Sequence, residues 1–397
     1  MNSSIRTTYN NQFTAEKYQA FLDDIYAAHD HVPNFRIAET PIFIDKDLKE
    51  QLFEACNEIS TTLCRDDFKS RTAASLLPKN NVPNEDDHTL FLQMDFGICI
   101  DKEGNLSPQL IEIQGFPSLY FFQNLLANSY KKNFEIPENY THLFGGLNSE
   151  AYLELLRKNI VGDCSPEQVI LLEVEPHQQV TQIDFWEAAA QLGIAIKCVS
   201  ELKKEGKKVF YFNDKGEKIK VEKIFNRVIF DELINYSELQ REFIFTEEAD
   251  VEWIGHPNWF FRISKYTLPL LESKYVPETH FLKDFDYKDL DLEEYVLKPL
   301  YSFAGTGVII NLNKYDLDAI NDPENYILQR KVAYAPVVET PNDPAKCEIR
   351  MLMIWEKDAT HPRIINNLAR LSKGLMVGVK YNKDKDWVGA SVAFFEE

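Results

Sequence analysis

Residues 295–310 read YVLKPLYSFAGTGVII: an apolar strand carrying one lysine, Lys298, then a loop with Gly305 and Gly307, then a second apolar strand. No other stretch constrains the fold as tightly. A lysine at a strand end beside a small-residue loop suits nucleotide phosphates. The ammonium supplies charge, and glycines let backbone N–H groups approach oxygens with no Cβ in the way. In a P-loop the lysine follows the glycines and opens a helix, so this order is a different device. A plain β-hairpin with its lysine in water would carry the same letters, so the pattern needs support from elsewhere in the chain.

Two further constellations supply it. Residues 91–100 (FLQMDFGICI) and 109–114 (QLIEIQ) flank the turn DKEGN at 101–105 and predict a β-hairpin. Glu112 and Gln114 lie two apart on a strand and share a face. Folding about the turn sets Asp95 opposite residue 111 or 112. The three converge as hard oxygen donors of the kind that hold Mg²⁺. The polar-out face of an ordinary half-buried hairpin alternates in the same way. Asp95, however, is flanked by Phe91, Leu92, Met94, Phe96 and Ile98, and a carboxylate in apolar company needs a cation or donors. Late in the chain, Arg350 and Arg370 sit on or beside apolar strands. Arginine offers planar, multidentate donation to phosphate or carboxylate, and structural ion pairs would bury it equally well.

A length of 397 residues predicts two or three domains, and 44% hydrophobic residues are ample for packed cores. The net charge of −20 opposes nonspecific binding to nucleic acid or anionic membrane. No signal-like apolar run opens the sequence and no stretch is long enough to span a bilayer, so a cytoplasmic protein is expected. Six scattered cysteines without a C-x-x-C pair point to reduced thiols. Helices are expected over most of 14–75, interrupted by an extended piece at 38–44, with Asp45 or Asp47 capping the helix that follows. A further helix is expected from Pro117 or Ser118 to Ala127. Strands at 169–174, 194–199 and 223–230, with a helix at 181–192 and a hairpin around 213–216, predict an α/β unit with a partly parallel sheet. Residues 280–397 read as strand-rich and antiparallel. The resulting layout is a mainly helical segment 1–88, a metal-ligand hairpin and helix 89–150, an α/β domain 151–285, and a nucleotide-binding part 286–397.

The order of these pieces resembles the ATP-grasp ligases, most closely the permuted glutathionylspermidine synthetase type, in which the acidic hairpin precedes the ATP-binding lysines. The likeness spans roughly residues 90–397. It implies a mixed α+β and α/β fold: a permuted ATP-grasp with a preceding α/β domain and a helical N-terminal segment. On that resemblance Asp95, Glu112 and Gln114 hold Mg²⁺, with Gln114 standing where the family has asparagine. Lys265, on a helix at 266–271, and Lys298 meet the phosphates of ATP, and Ser302, Gly305, Thr306 and Gly307 form the phosphate loop. Gln329, Lys331 and Val332 belong to the strand whose backbone meets adenine. Arg350 and Arg370, with Lys298, hold the acyl phosphate or a substrate carboxylate. The implied reaction joins a small-molecule carboxylate to an amine at the expense of ATP. Two other activities fit the same residues: phosphotransfer to a hydroxyl or histidine, and a non-catalytic binding or scaffold role. Oligomeric state leaves no mark in the sequence.

Overall fold

Strict alternation over residues 91–100 puts Leu92, Met94, Phe96 and Ile98 on one face and Gln93, Asp95 and Gly97 on the other. In the computed structural model, which describes residues 1–230, 233, 236, 238–301, 305–377 and 382–397, this strand lies within a five-stranded sheet. Its order is Gly389–Ser391, Arg363–Ser372, Lys346–Ile354, Phe91–Ile100, Leu106–Gln114, every neighbouring pair antiparallel. The hairpin therefore pairs directly with strands some 250 residues later. The apolar face, with Met94, Phe96, Ile113, Ile349 and Met351, is covered by Leu48, Leu52, Ala55 and Ile59 of the helix Lys46–Leu63. The opposite face carries the polar residues from which the site is built.

A second, three-stranded antiparallel sheet sets Tyr326–Arg330 between Thr279–Phe281 and Tyr295–Pro299. Leu297 and Leu328 of this sheet pack into a small core with Leu282, Leu312 and Leu317. The α/β unit is a four-stranded parallel sheet in the order Glu252–Ile254, Lys223–Asn226, Val169–Glu173, Ala195–Cys198. The helix Gln182–Leu192 crosses between its last two strands. Val169–Glu173 is buried throughout, the near-continuous apolar run of a strand covered on both faces.

Several local expectations need amending. The segment 280–397 is antiparallel except at its end, where Ala393–Glu396 pairs in parallel with Ile42–Ile44 and ties the two ends of the chain together. Of the two candidate caps, Asp45 is the one used: its carboxylate accepts from the Leu48 N–H. A helix over Ser3–Gln12 was not foreseen, because its serines, threonines and asparagines are weak helix formers and its burial comes from distant partners. The helix expected at 117–127 runs Tyr120–Asn133. Leu119 before it is left-handed (φ 63°), and no local side chain caps it. Asp184, brought in by Gln182–Leu192, instead accepts from the N–H groups of Leu119 (3.2 Å), Phe121 (2.9 Å) and Phe122 (2.9 Å). Among the described residues no helix is long and apolar enough to cross a membrane.

Candidate functional site

The hairpin register pairs Asp95 with Glu112 and Gln93 with Gln114, so all four side chains share the polar face. Between Asp95 and Phe96 the register slips, because Phe96 pairs with Leu110 and Ile111 is left over. A bulge frees backbone groups from the ladder, and here the Ile111 carbonyl accepts a hydrogen bond from Lys298 Nζ at 3.0 Å. Lys298 also donates to Gln329 Oε1, on the neighbouring strand, at 2.5 Å. Burial pushes the Lys298 ammonium down to about 8, and Glu112 opposes that shift only in part. Lys265 approaches the same carboxylate, Nζ to Glu112 Oε1, at 3.3 Å. It sits not on an α-helix but at the start of a 3₁₀ turn, Lys265–Leu270, with Ser264 as its cap. Two lysines thus bear on one carboxylate, and Gln329 is 1% exposed with its Nε2 unpartnered among the described residues.

A few ångströms along the same face the charges are arranged differently. Arg350 pairs with Asp95 across the sheet. Its Nε donates to Asp95 Oδ1 at 2.5 Å, Nη2 to Oδ2 at 2.7 Å, and Nη1 to Gln93 Oε1 at 2.9 Å. Arg370 Nη2 reaches Asp95 Oδ2 at 2.7 Å and also the Glu348 carboxylate. Asp95 is 2% exposed; burial disfavours its charge, but the two guanidiniums more than reverse this and hold it below the usual range. Burial raises Glu348, which accepts from the Tyr334 hydroxyl at 2.7 Å. Gly97 makes room for that tyrosine, since a Cβ there would lie 2.8 Å from its ring and 3.1 Å from Val332.

The expected site residues therefore divide. Glu112, Lys265, Lys298 and Gln329 come together where the hairpin meets the three-stranded sheet, and Gln114 lies two residues from Glu112 on the same face. Asp95 is not left free for a metal ion, because both its oxygens are taken by guanidinium groups. Arg350 is not left free for a phosphate, because Asp95 and Gln93 satisfy it. Arg370 keeps an Nε without a partner among the described residues and is about a third exposed at 34%. The Lys331 ammonium turns to the Glu293 carbonyl, while Val332 packs over Gly97. Gly305 and Gly307 each have φ 73°, the left-handed region that favours glycine; Thr306 between them is exposed, and Ser302 lies outside the described residues. Among the described residues no three His, Cys, Asp or Glu side chains form a metal cluster alone. The acidic oxygens available are those of Glu112, supplemented by the Gln114 amide.

Sequence reasoning missed two neighbours. Tyr334 carried no signal, since its role depends on a glycine in another strand. Arg227 follows the strand Lys223–Asn226, at the carboxyl end of the parallel sheet, where open α/β sheets hold their ligands. It is 4% exposed, its guanidinium lies 5.1 Å from the Phe116 ring and 5.2 Å from Phe185, and Nε and Nη1 lack partners among the described residues. An arginine ending an apolar strand was the available clue.

No family model matches this chain, and no curated protein does. Among solved structures it is similar to a glutathione synthetase-like effector from Globodera pallida, with TM-score 0.59 and 11% identity over 96% of each chain. The two share a fold: mixed α/β with several sheets, of the glutathione synthetase-like kind. A structure from Methylobacillus flagellatus KT, assigned as a γ-glutamylcysteine synthetase, aligns with TM-score 0.37 and 12% identity over 88% of this chain and 86% of its own. At that score the likeness carries no argument.

Proposed function

We propose that the protein is an ATP- and Mg²⁺-dependent carboxylate–amine ligase on a permuted ATP-grasp fold, working through an acyl phosphate. The observation that carries this reading is the Lys298–Ile111 hydrogen bond. It brings the cationic strand onto the acidic hairpin and concentrates Lys265, Lys298 and Glu112 at the seam between two sheets. The fold shared with a glutathione synthetase-like protein agrees with it.

Lys265 and Lys298 hold the phosphate oxygens and offset the charge that develops on them, the electrostatic positioning on which phosphoryl transfer depends. Entry of a triphosphate returns full charge to Lys298. Backbone N–H groups of the loop bearing Ser302, Gly305, Thr306 and Gly307 approach the same oxygens, and the strand end at Gln329, Lys331 and Val332 lines the base. Glu112 and Gln114 fit Mg²⁺, which takes one or two protein oxygens and fills its sphere with water and phosphate; bound there, it neutralises phosphate charge. Asp95 supports this pair from behind by fixing Arg350 and Arg370. The carboxylate substrate lies between Arg370 and Arg227, both of which keep nitrogens without a partner among the described residues. Its oxygen attacks the γ-phosphorus and releases ADP; an amine then attacks the acyl carbon, expelling phosphate and losing a proton.

ADP release by the purified protein over a panel of carboxylates and amines tests the reading, with amide and phosphate as products. Lys298→Ala should abolish turnover and weaken Mg-ATP binding at least tenfold. Unchanged binding and turnover in that variant would remove the site assignment. One observation favours a second reading, nucleotide binding without turnover: the sealing of Asp95 by two arginines. A thermal shift with Mg-ATP but no ADP from any pair of substrates would select it, because binding to the native state alone raises stability.

A further inference from the structure

A different part of the molecule holds a buried charge with no carboxylate in contact among the described residues. Arg6, on the helix Ser3–Gln12, is 6% exposed. Its Nη1 donates to Thr40 Oγ1, and its guanidinium lies 5.0 Å from the Tyr9 ring and 5.1 Å from Phe43. Nε and Nη2 have no partner among the described residues. Burial lowers the group to about 10, so it stays charged at neutral pH. Arg350 and Arg262 have carboxylates in direct contact, Asp95 and Glu85 respectively. Arg6 has none.

Beside it lies a cavity of about 50 Å³, walled by Ser3 and Arg6 of the helix, Phe43 of the adjoining strand, and Val337 and Glu339 of the segment passing over them. The opening turn of an α-helix leaves its leading N–H groups without intrahelical acceptors and carries the positive end of the dipole. Here Asn2 Oδ1 accepts from the Ile5 N–H and from the Ser4 hydroxyl. The Glu339 side chain is exposed and makes no ion pair with Arg6 at contact distance. A positive helix end, an incompletely satisfied guanidinium and a small cavity thus coincide, far along the chain from Lys298 and Glu112.

The geometry points to a binding site for a small monovalent anion, a halide or a carboxylate of one or two carbons, held by Arg6 Nε and Nη2 and the first turn of its helix. The volume suits a few waters or one such ion and excludes a nucleotide. Because Val337 and Glu339 form one wall, an occupant would brace the N-terminal helix against the segment that also carries Tyr334.

Crystals of the full chain grown with bromide provide the direct probe, because bromide is located by its anomalous signal. A peak within hydrogen-bonding distance of Arg6 Nε or Nη2 is expected; ordered water alone there would overturn the proposal. In solution at fixed ionic strength, chloride, bromide or acetate should raise the melting temperature saturably, whereas gluconate, too large for the cavity, should not. Equal shifts with gluconate would mean general screening and no site. Arg6→Met should lose the anion-specific shift. Should that variant fail to fold, Glu339→Gln serves instead: removing the carboxylate on the cavity wall should tighten anion binding severalfold, and an unchanged or weaker midpoint would count against the site.

Discussion

Two clusters of charge on one sheet face behave in opposite ways. Around Asp95 the charges are matched: Arg350 and Arg370 face Asp95 and Glu348. Gln93 accepts from Arg350 and Tyr334 donates to Glu348, and the Arg370 Nε is left without a partner among the described residues. Around Lys298 the balance differs: its Nζ donates to two neutral oxygens, the Ile111 carbonyl and Gln329 Oε1, and burial drives the ammonium toward its neutral form. A matched buried cluster holds strands in place and is sensitive to the loss of any member. A buried ammonium held by neutral oxygens gains most from an arriving anion, and perturbed groups of this kind concentrate at functional sites.

The sharpest way to break this contrast is to remove Asp95. Asp95→Ala leaves two arginines facing each other in a buried setting and should cost about 3–5 kcal/mol in urea unfolding. Arg350→Met in the same background should recover part of that loss, because the two sites are coupled. A loss below about 1 kcal/mol, the range of exposed pairs, would show that the cluster is not matched. The sign with pH follows from the depressed carboxyl of Asp95: its stabilisation is present above the ordinary aspartate range and fades as pH falls through the folded value.

The Lys298 cluster should respond through its ligand. Lys298→Met should leave stability within about 1 kcal/mol, the scale of one hydrogen bond, while Mg-ATP affinity falls at least tenfold, about 1.4 kcal/mol. The folded pKa of about 8 lies below the ordinary 10.5, so between those values the unfolded chain keeps a proton that the folded chain has released. Stability from this group therefore rises with pH over that window. Nucleotide affinity runs the other way, dropping as pH passes 8, and Lys298→Arg should flatten the drop. Calorimetric titration from pH 6.5 to 9.5 reads both, and a flat wild-type profile would place the lysine outside the binding site.

The smallest effect is expected at the edge of the matched cluster. Tyr334→Phe removes the hydroxyl donor to Glu348 and should cost about 1 kcal/mol, seen as a lower denaturation midpoint without change in Mg-ATP affinity. A fall in affinity of the size seen for Lys298→Met would merge the two clusters into one site.

Much of this was legible in the sequence wherever short-range periodicity governs. The alternation around Asp95 gave the hairpin and its faces and set Asp95 opposite residue 111 or 112; the bulge at Ile111 decided for Glu112. The apolar runs at 169–174 and 194–199 gave the α/β unit, and Lys298 stood out as the single lysine of an apolar strand before a glycine loop. What could not be read was who neutralises whom. A buried arginine announces that it needs an anion, but phosphate, substrate carboxylate and aspartate are equivalent answers at the level of sequence. The helix cap supplied by Asp184 lies more than 60 residues from the N–H groups it serves, so local capping rules had no access to it.

The chain by itself determined its elements and its chemical groups, because side-chain period, turn residues and charge act over a few positions. Tertiary structure alone decided that Arg350, 255 residues from Asp95, would stand opposite it and remove both from the pool of ligand-binding groups. Sheet register fixes such pairings, and register is set by the burial of whole faces, a property no short segment possesses.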